Sequence, residues 1–362
     1  MRIAIFNWRD IRNPAAGGAE AFIQRLSENL ILLGHQVTVF CARFHGSAER
    51  EDINGVPYVR FGGRYSIYPL SYFCYRKSIQ GRFDAIIESI NGVPFFTALF
   101  SKEKVFTFIH QMTRENWFSD LSTPIAFAAY HMEDHLLRLY KKLPAMVPSE
   151  STRKDLLALG FKNVGVIHEA ADIIAPGSMA LKKENDAALI YLGRLTRSKR
   201  VDHVIKAFGL IRKRVPQAKL WVVGAGPEMA RLTEAVASAG LKDCVTFFGK
   251  VSEAKKAELL AKAHLLLLPA VREGWGLVVL EANTCGTPAI GYDVPGLRDS
   301  IVDGTNGHLV PDADYASMAE RAVSLLLDPA ALARLSEKSA AHSKKFTWRK
   351  TAESVASFLS AP

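Results

Sequence analysis

The sequence predicts an α/β protein built from two doubly wound domains that face each other across a cleft. Three observations predict it. Apolar, strand-like runs alternate with helix-period segments from end to end, the pattern of parallel sheets covered on both faces. At 362 residues the chain is long enough for two domains that each bury a core. A polar, strand-poor stretch from Asp172 to Asp186, carrying Pro176-Gly177 and a charged run, divides the alternation into halves. The expected domains are residues 1–172 and 187–345, joined by a linker at 173–186. Ligands of such domains are expected at the carboxyl ends of the strands.

Taken in order, the run Arg2-Ile3-Ala4-Ile5-Phe6 predicts a strand over 2–6 and leaves no room for a leader peptide ahead of it. Gly17-Gly18 opens a helix over 19–33 that Gly34 ends. Strands follow near 36–42, 85–89, 105–109, 145–148 and 164–168, with helices over 93–101, 124–142 and 151–159. The stretch 62–82 is rich in aromatic and basic residues, among them Arg64, Tyr65, Tyr68, Tyr72, Phe73, Tyr75, Arg76 and Lys77. A half-buried surface helix accounts for it, as does a membrane-interface or sugar-stacking surface. In the second half, strands near 188–193, 219–224, 245–248, 265–269, 288–291 and 308–310 alternate with helices over 200–214, 228–239, 252–263 and 276–285. The last of these stops at Gly286, ahead of Pro288.

Composition bounds the function. The chain is 49% hydrophobic and 23% charged, as soluble globular proteins are, and no apolar run reaches the roughly 18 residues a membrane span needs. Cys41, Cys74, Cys244 and Cys285 are scattered without a C-x-x-C pair and read as reduced thiols of a cytoplasmic protein. The net charge of +10 carries no block of like charge. It suits a phosphorylated ligand or an anionic membrane surface. No nucleic-acid module accompanies it, so nucleic acid is not an expected partner.

The second half is organised around Arg272-Glu273-Gly274-Trp275-Gly276-Leu277, continuing to Glu281-Ala282. A strand–loop–helix junction aims free backbone N–H groups and the positive end of a helix at whatever docks there, and a phosphate suits that end. Glu273 and Glu281 flank the position, suited to reading sugar hydroxyls on either side of a diphosphate. Upstream, Gly193-Arg194-Leu195 closes a strand and Lys199 opens the next helix, which brings a guanidinium fork and an ammonium to one strand-end loop. Gly224-Ala225-Gly226-Pro227 is not a dinucleotide fingerprint, because Met229 stands at the third glycine position. Phe248 and Val251 fit either the wall of a base pocket or a plain core strand. His110 ends the strand Val105–Ile109, where a polar side chain is expected to face a site. His131 and His135 have helical spacing but lack the glutamate of a zinc-peptidase motif, so a solvated helix face is expected. Asp312-Ala313-Asp314 could hold a metal, but Asp314 also begins a helix, and the N-cap reading is preferred.

Assembled, these residues resemble the GT-B fold glycosyltransferases of family 4, a retaining, nucleotide-sugar-dependent group with two Rossmann-like domains. The likeness covers most of the chain. It rests on Gly17-Gly18, Gly34-His35, Gly193-Arg194-Leu195 with Lys199, Gly224-Ala225-Gly226-Pro227, and above all on Glu273 to Glu281, followed by Gly286-Thr287-Pro288, Pro295-Gly296 and Asn306-Gly307. Phe346-Thr347-Trp348 resembles the entry to the last helix, which implies that residues 346–362 pack back on the N-terminal domain.

The resemblance implies that the first domain binds the acceptor and the second the donor. It implies that Arg194 and Lys199 bind the diphosphate, that Gly17 and Gly18 offer backbone to it, and that Glu281 binds the ribose. Glu273 would meet the transferred sugar, with the backbone of Trp275, Gly276 and Leu277 at the distal phosphate. Phe248 and Val251 would lie at the base, and His110 would face the sugar. His110, Glu273, Arg194 and Lys199 are thus the implied catalytic residues. No cofactor and no metal is expected beyond the nucleotide sugar itself, a UDP- or GDP-sugar. The acceptor would be a glycan, glycolipid or small molecule, and the 62–82 stretch suits peripheral contact with the inner membrane face. Two alternatives keep the fold, a nucleotide-sugar epimerase and a donor-binding subunit without catalysis. Arg200 departs from the family pattern, which usually has glycine there, as does Pro295 in place of the first of a glycine pair.

Overall fold

The computed structural model describes residues 1–171, 173 and 183–361. Most of the expected linker, residues 172 and 174–182, lies outside the described residues. The chain forms two compact units. The first comprises Met1–Arg114, Phe127–Ala170 and Phe346–Pro362, and the second Glu115–Ala126 and Ala171–Lys345.

The first unit is an eight-stranded sheet: β1 (Arg2–Phe6), β2 (Gln36–Ala42), β3 (Arg50–Ile53), β4 (Val56–Phe61), β5 (Ala85–Ile90), β6 (Lys104–Ile109), β7 (Ala145–Val147) and β8 (Val164–Val166). The order is β3-β4-β2-β1-β5-β6-β7-β8, parallel except for the edge strand β3. Every residue of β5 is buried, including Glu88 and Ser89, as a central strand covered on both faces requires. The helix Gly18–Leu32 buries Phe22, Ile23, Leu26 and Leu30, one stripe at helical spacing, against β1, β2 and β5. The helix Trp348–Ser360 packs beside it through Ala352, Val355 and Leu359. Thr347 caps that helix, and Thr351 Oγ1 donates to the His168 carbonyl at 2.9 Å.

One expectation for this unit fails, and one element goes unforeseen. A helix is predicted over 93–101, but only one 3-10 turn forms, Thr97–Leu99. The buried Glu88 carboxylate takes the backbone N–H groups of Phe95 and Thr97 (2.5 and 3.1 Å), so those amides do not enter a helix. The hairpin β3–β4 is not anticipated, although Asn54-Gly55 at its turn, both with positive φ (53° and 81°), is the sequence signal for one. The aromatic–basic stretch forms the helix Ile67–Cys74, running into a π turn over Tyr75–Ile79. Ile67, Ser71, Tyr75 and Ile79 point inward at four-residue spacing, leaving Leu70, Tyr72, Phe73, Arg76 and Lys77 exposed.

The second unit is a six-stranded, wholly parallel sheet: β9 (Ala188–Leu192), β10 (Lys219–Val223), β11 (Val245–Gly249), β12 (Leu265–Leu268), β13 (Ala289–Tyr292) and β14 (Gly307–Val310). The order is β11-β10-β9-β12-β13-β14, around one continuous core. The chain reverses direction across the sheet between β9 and β12, the switch point at which such sheets bind ligands. The helix Tyr315–Leu326, whose start at Asp314 the sequence marks, and the helix Pro329–Ser343, which the pattern does not place, complete the unit. Among the described residues no helix is long and apolar enough to cross a membrane.

Candidate active site

In the second unit the loops after β9, β12 and β13 converge. The first is Gly193-Arg194-Leu195. Gly193 N–H donates to the Val223 carbonyl and Leu195 N–H to the Ala225 carbonyl, both at 3.0 Å, while Tyr191 Oη donates to the Arg194 carbonyl at 2.9 Å. The loop therefore lies flush against the end of β10. A Cβ on Gly224 would fall 1.8 Å from the Gly193 oxygen, and one on Gly226 would fall 2.3 Å from the Leu195 oxygen. Gly224-Ala225-Gly226 is thus a seat for the Arg194 loop. Its glycines answer a neighbouring backbone. The pinned backbone leaves the Arg194 side chain exposed, with no carboxylate partner among the described residues.

Five residues on, Lys199 Nζ contacts Glu273 Oε1 at 2.5 Å, with the side chains 18% and 15% exposed. The loops that bring them together are themselves tied. Val271 N–H donates to the Ser198 carbonyl at 2.9 Å and Glu273 N–H to the Pro295 carbonyl at 3.0 Å. Gly296 has φ +84, and a Cβ there would meet the Glu273 oxygen at 2.2 Å, so this approach requires glycine. Gly276, at φ 87, caps the helix Leu277–Thr284, whose first-turn N–H groups have no helical partner. Trp275 and Gly276 are buried and Leu277 is partly so.

Glu281 and Glu273 have different partners. Glu281 Oε1 meets Lys256 Nζ at 2.7 Å, and Lys256 also reaches Glu253 at 2.6 Å. Burial works against the Lys256 charge, but the two carboxylates outweigh it and raise its pKa. Arg272, 4% exposed, bonds Glu115 Oε2 at 2.6 Å, which ties the segment Glu115–Ala126 to this unit. Phe248 and Val251 are partly buried and pack against the core at the end of β11, Phe248 edge-on to Trp221. Asp314 caps its helix through the Ser317 N–H at 2.9 Å, and Asp312 pairs with Arg200 at 2.5 Å. Arg200 takes up a left-handed conformation (φ 48°), the backbone that a glycine adopts freely.

In the first unit, Gly17 and Gly18 are exposed at the start of their helix. The Gly17 N–H is already bonded to Glu20 Oε2 at 2.7 Å, and Arg9 holds the other Glu20 oxygen at 2.9 Å. Gly18 opens the helix, and the N–H groups of its first turn have no helical partner. His110, 7% exposed, lies between Phe22 and Phe108. Asn7 Nδ2 donates to the Arg9 carbonyl at 2.7 Å, so Asn7 Oδ1 accepts the Ser89 hydroxyl at 2.8 Å. Ser89 Oγ must then accept from His110 Nε2, 3.0 Å away. This relay holds His110 with its proton on Nε2 and turns Nδ1 towards Glu169, 3.7 Å away.

The structure thus gathers Arg194, Lys199, Glu273, Trp275, Gly276 and Leu277 at adjacent strand ends. Glu281 stands on the same helix but turns to Lys256. Lys256, Glu115, Glu20, Ser89, Asn7 and Glu169 were given no role by the sequence, and Arg272 was part of the central stretch without one. Only Glu253-x-x-Lys256 and Gly17-x-x-Glu20 left a local trace, as i,i+3 pairs.

Two family models match the chain, "Glycosyltransferase Family 4" over residues 16–173 and "Glycosyl transferases group 1" over residues 179–342. N-acetyl-alpha-D-glucosaminyl L-malate synthase of Bacillus anthracis is 39% identical over 145 residues, 40% of this chain. The match spans only 37% of that relative, and the chain likewise covers 40% and 53% of two D-inositol 3-phosphate glycosyltransferases that it matches. Sucrose-phosphate synthase from Thermosynechococcus elongatus superposes with a TM-score of 0.82 at 19% identity, covering 99% of this chain and 98% of that one. HepE of Anabaena, solved with UDP-glucose, does so with a TM-score of 0.77 at 16% identity, covering 99% of each chain. With residues 16–173 and 179–342 matched by these two models, and each unit a doubly wound parallel-type sheet, the chain belongs to the family 4 glycosyltransferases.

Proposed function

We propose that the protein is a retaining glycosyltransferase that moves a hexose from a nucleoside-diphosphate sugar to a hydroxyl acceptor in cell-surface glycan or glycolipid synthesis, without a metal. The observation that carries this reading is Arg194, a guanidinium on a pinned backbone with no carboxylate partner among the described residues, on the same strand-end loop as the Lys199 that pairs with Glu273. Breaking the bond between the anomeric carbon and the phosphate oxygen builds negative charge on the diphosphate and positive charge on the sugar ring. Arg194, Lys199 and the amides opening the helix Leu277–Thr284 would answer the first, the role a divalent cation fills elsewhere. Glu273 would accept hydroxyls of the sugar and Glu281 those of the ribose.

Retention calls for attack from the face the diphosphate leaves. A carboxylate nucleophile would give it through a covalent intermediate, but the role of Glu273 in this reading is to bind the sugar hydroxyls. We favour same-face attack in which the acceptor oxygen bonds the anomeric carbon and its proton passes to the departing phosphate oxygen. The second unit would hold the donor, with Phe248 and Val251 at the base. The first would hold the acceptor, with Gly18 and His110 serving the donor's phosphate and sugar. UDP-sugars lead as donors, since a structural relative was solved with UDP-glucose; GDP-sugars are the next class. A cytoplasmic setting, with the exposed aromatic–basic face of residues 67–79 against the inner membrane face, fits a lipid-borne acceptor.

A thermal-shift panel of UDP-, GDP-, ADP- and TDP-sugars, followed by transfer from the stabilising donor in labelled form, tests the proposal. Arg194→Ala and Lys199→Ala should each lower turnover by about 10²-fold. Near-normal turnover in both would sink the diphosphate assignment. Epimerised free donor would point instead to an epimerase, and binding without product to a non-catalytic subunit.

A further inference from the structure

At the carboxyl ends of β1 and β4 the first unit carries a cluster that none of the donor roles uses. Trp8 follows β1, and its indole N–H donates to the Arg64 carbonyl at 2.9 Å. Its own carbonyl accepts the Ala42 N–H at 3.1 Å, which fixes it to the end of β2. The loop that holds Arg64 is equally well defined. Gly62 has φ +59, and a Cβ there would stand 2.9 Å from the Ile67 nitrogen. The Gly63 N–H donates to Ser66 Oγ at 2.8 Å.

Two guanidiniums gather on the Trp8 indole, Arg9 at 4.1 Å from the ring centroid and Arg64 at 5.9 Å, and Arg64 also lies 5.2 Å from the Tyr65 ring. Like charges sharing one ring repel unless anions answer them. Glu20 answers Arg9 at 2.9 Å. Nothing answers Arg64: its side chain is exposed, and among the described residues it has no carboxylate partner. What remains is one uncompensated guanidinium fork beside a half-buried indole and a Tyr65 that is 72% exposed, at the strand ends where doubly wound sheets bind ligands.

We propose that Trp8, Arg64 and Tyr65 form an acceptor subsite for a phosphorylated sugar or polyol. The phosphate would take two parallel N–H bonds from Arg64. The carbon face of the ligand would lie against the aromatic rings, whose faces suit the C–H groups of a sugar ring. The inference rests on the reading of the first unit as the acceptor side, and it adds the chemical class of the acceptor. The phosphate has two sources, a free sugar phosphate or a lipid headgroup, and the recognition chemistry is the same for both.

The Trp8 indole N–H, bonded to the Arg64 backbone, reports on the site without any donor present. With the full chain labelled with ¹⁵N-tryptophan and this resonance assigned through Trp8→Phe, glucose 6-phosphate and glucose are titrated separately. Phosphatidylcholine vesicles with and without a phosphoinositide form a second arm. The expected result is a saturable shift with glucose 6-phosphate and none with glucose. The response should be lost in Arg64→Gln and weakened about tenfold or more in Arg64→Lys, which offers a point charge in place of a fork. A shift with phosphoinositide vesicles alone also supports the site and identifies its phosphate as lipid-borne. An equal response to glucose and its phosphate, a wild-type response in Arg64→Gln, or no response in either arm overturns the proposal. Because no nucleotide sugar is present, a protein that responds here but transfers no sugar retains this site and loses the transferase reading.

Discussion

Replacing Glu273 by Gln separates two jobs that its contact with Lys199 combines. The carboxylate holds the lysine at 2.5 Å, both side chains being mostly shielded from solvent. A diphosphate that recruits Lys199 must share or break that pair, whose net worth is about 1 kcal/mol for a partly exposed contact. Glu273→Gln keeps the shape and an acceptor oxygen but removes the competing charge. The nucleoside diphosphate should therefore bind about fivefold tighter, the equivalent of that 1 kcal/mol. Turnover should move the other way, by roughly 10²-fold, because the variant no longer places negative charge beside a ring that becomes positive. Calorimetric titration with the nucleoside diphosphate and labelled-sugar transfer at saturating donor measure the two quantities on one sample. Weaker diphosphate binding in the variant would refute the reasoning, since it would mean that Glu273 holds Lys199 in place for the phosphate. Tighter binding with unchanged turnover would remove Glu273 from the sugar.

Three further outcomes are expected. Gly224→Ala places a Cβ 1.8 Å from the Gly193 oxygen at φ +136, and should cost about 3 kcal/mol or more, read from the urea midpoint. Burial pushes the Lys183 ammonium from 10.5 down to about 8, while its Nζ donates to the Ala263 and Gly286 carbonyls and to Thr287 Oγ1. With the folded pKa below the unfolded one, the unfolded chain holds the extra proton between these values, so this group makes stability rise from about pH 8 to 10.5. Lys183→Met should flatten that rise, and identical pH slopes in urea titrations of the two proteins would show that Lys183 titrates normally. Ser89→Ala removes the acceptor for His110 Nε2–H, and long-range ¹H–¹⁵N spectra should show the ring proton moving to Nδ1, on the Glu169 side; an Nδ1-protonated ring in the unaltered protein would contradict the relay.

The parallel strands could be read from the sequence because their signal is local. Leu265–Leu268 is apolar without interruption, and Gly276, Gly286 and Pro288 bracket the helix that follows. The hairpin β3–β4 could not be read from periodicity. Arg50-Glu51-Asp52 lacks apolar alternation, and the buried Arg60 is answered by Glu51 at 2.7 Å and by Asp10, fifty residues away, at 2.5 Å. The same limit applies in the site. That a cation sits at Lys199 was evident; that its partner is Glu273, and that Glu281 belongs to Lys256, depends on tertiary packing. The Gly224-Ala225-Gly226 pattern was visible as a glycine loop, but its reason, the carbonyls of Gly193 and Leu195, lies on another strand.

Both units are discontinuous in the chain, and this bears on the order in which they can be completed during synthesis. The helix Gly18–Leu32 emerges from the ribosome early, yet part of its apolar flank waits for Ala352, Val355 and Leu359. The second unit likewise depends on Glu115, translated well before the Arg272 that it meets. Domains are usually able to close in turn, N-terminal first. Here the nascent first unit must persist with an uncovered apolar surface until nearly the whole chain is made. Cutting the protein at 172 to study its halves would leave one half without its closing helix and the other without the Glu115 that meets its buried Arg272.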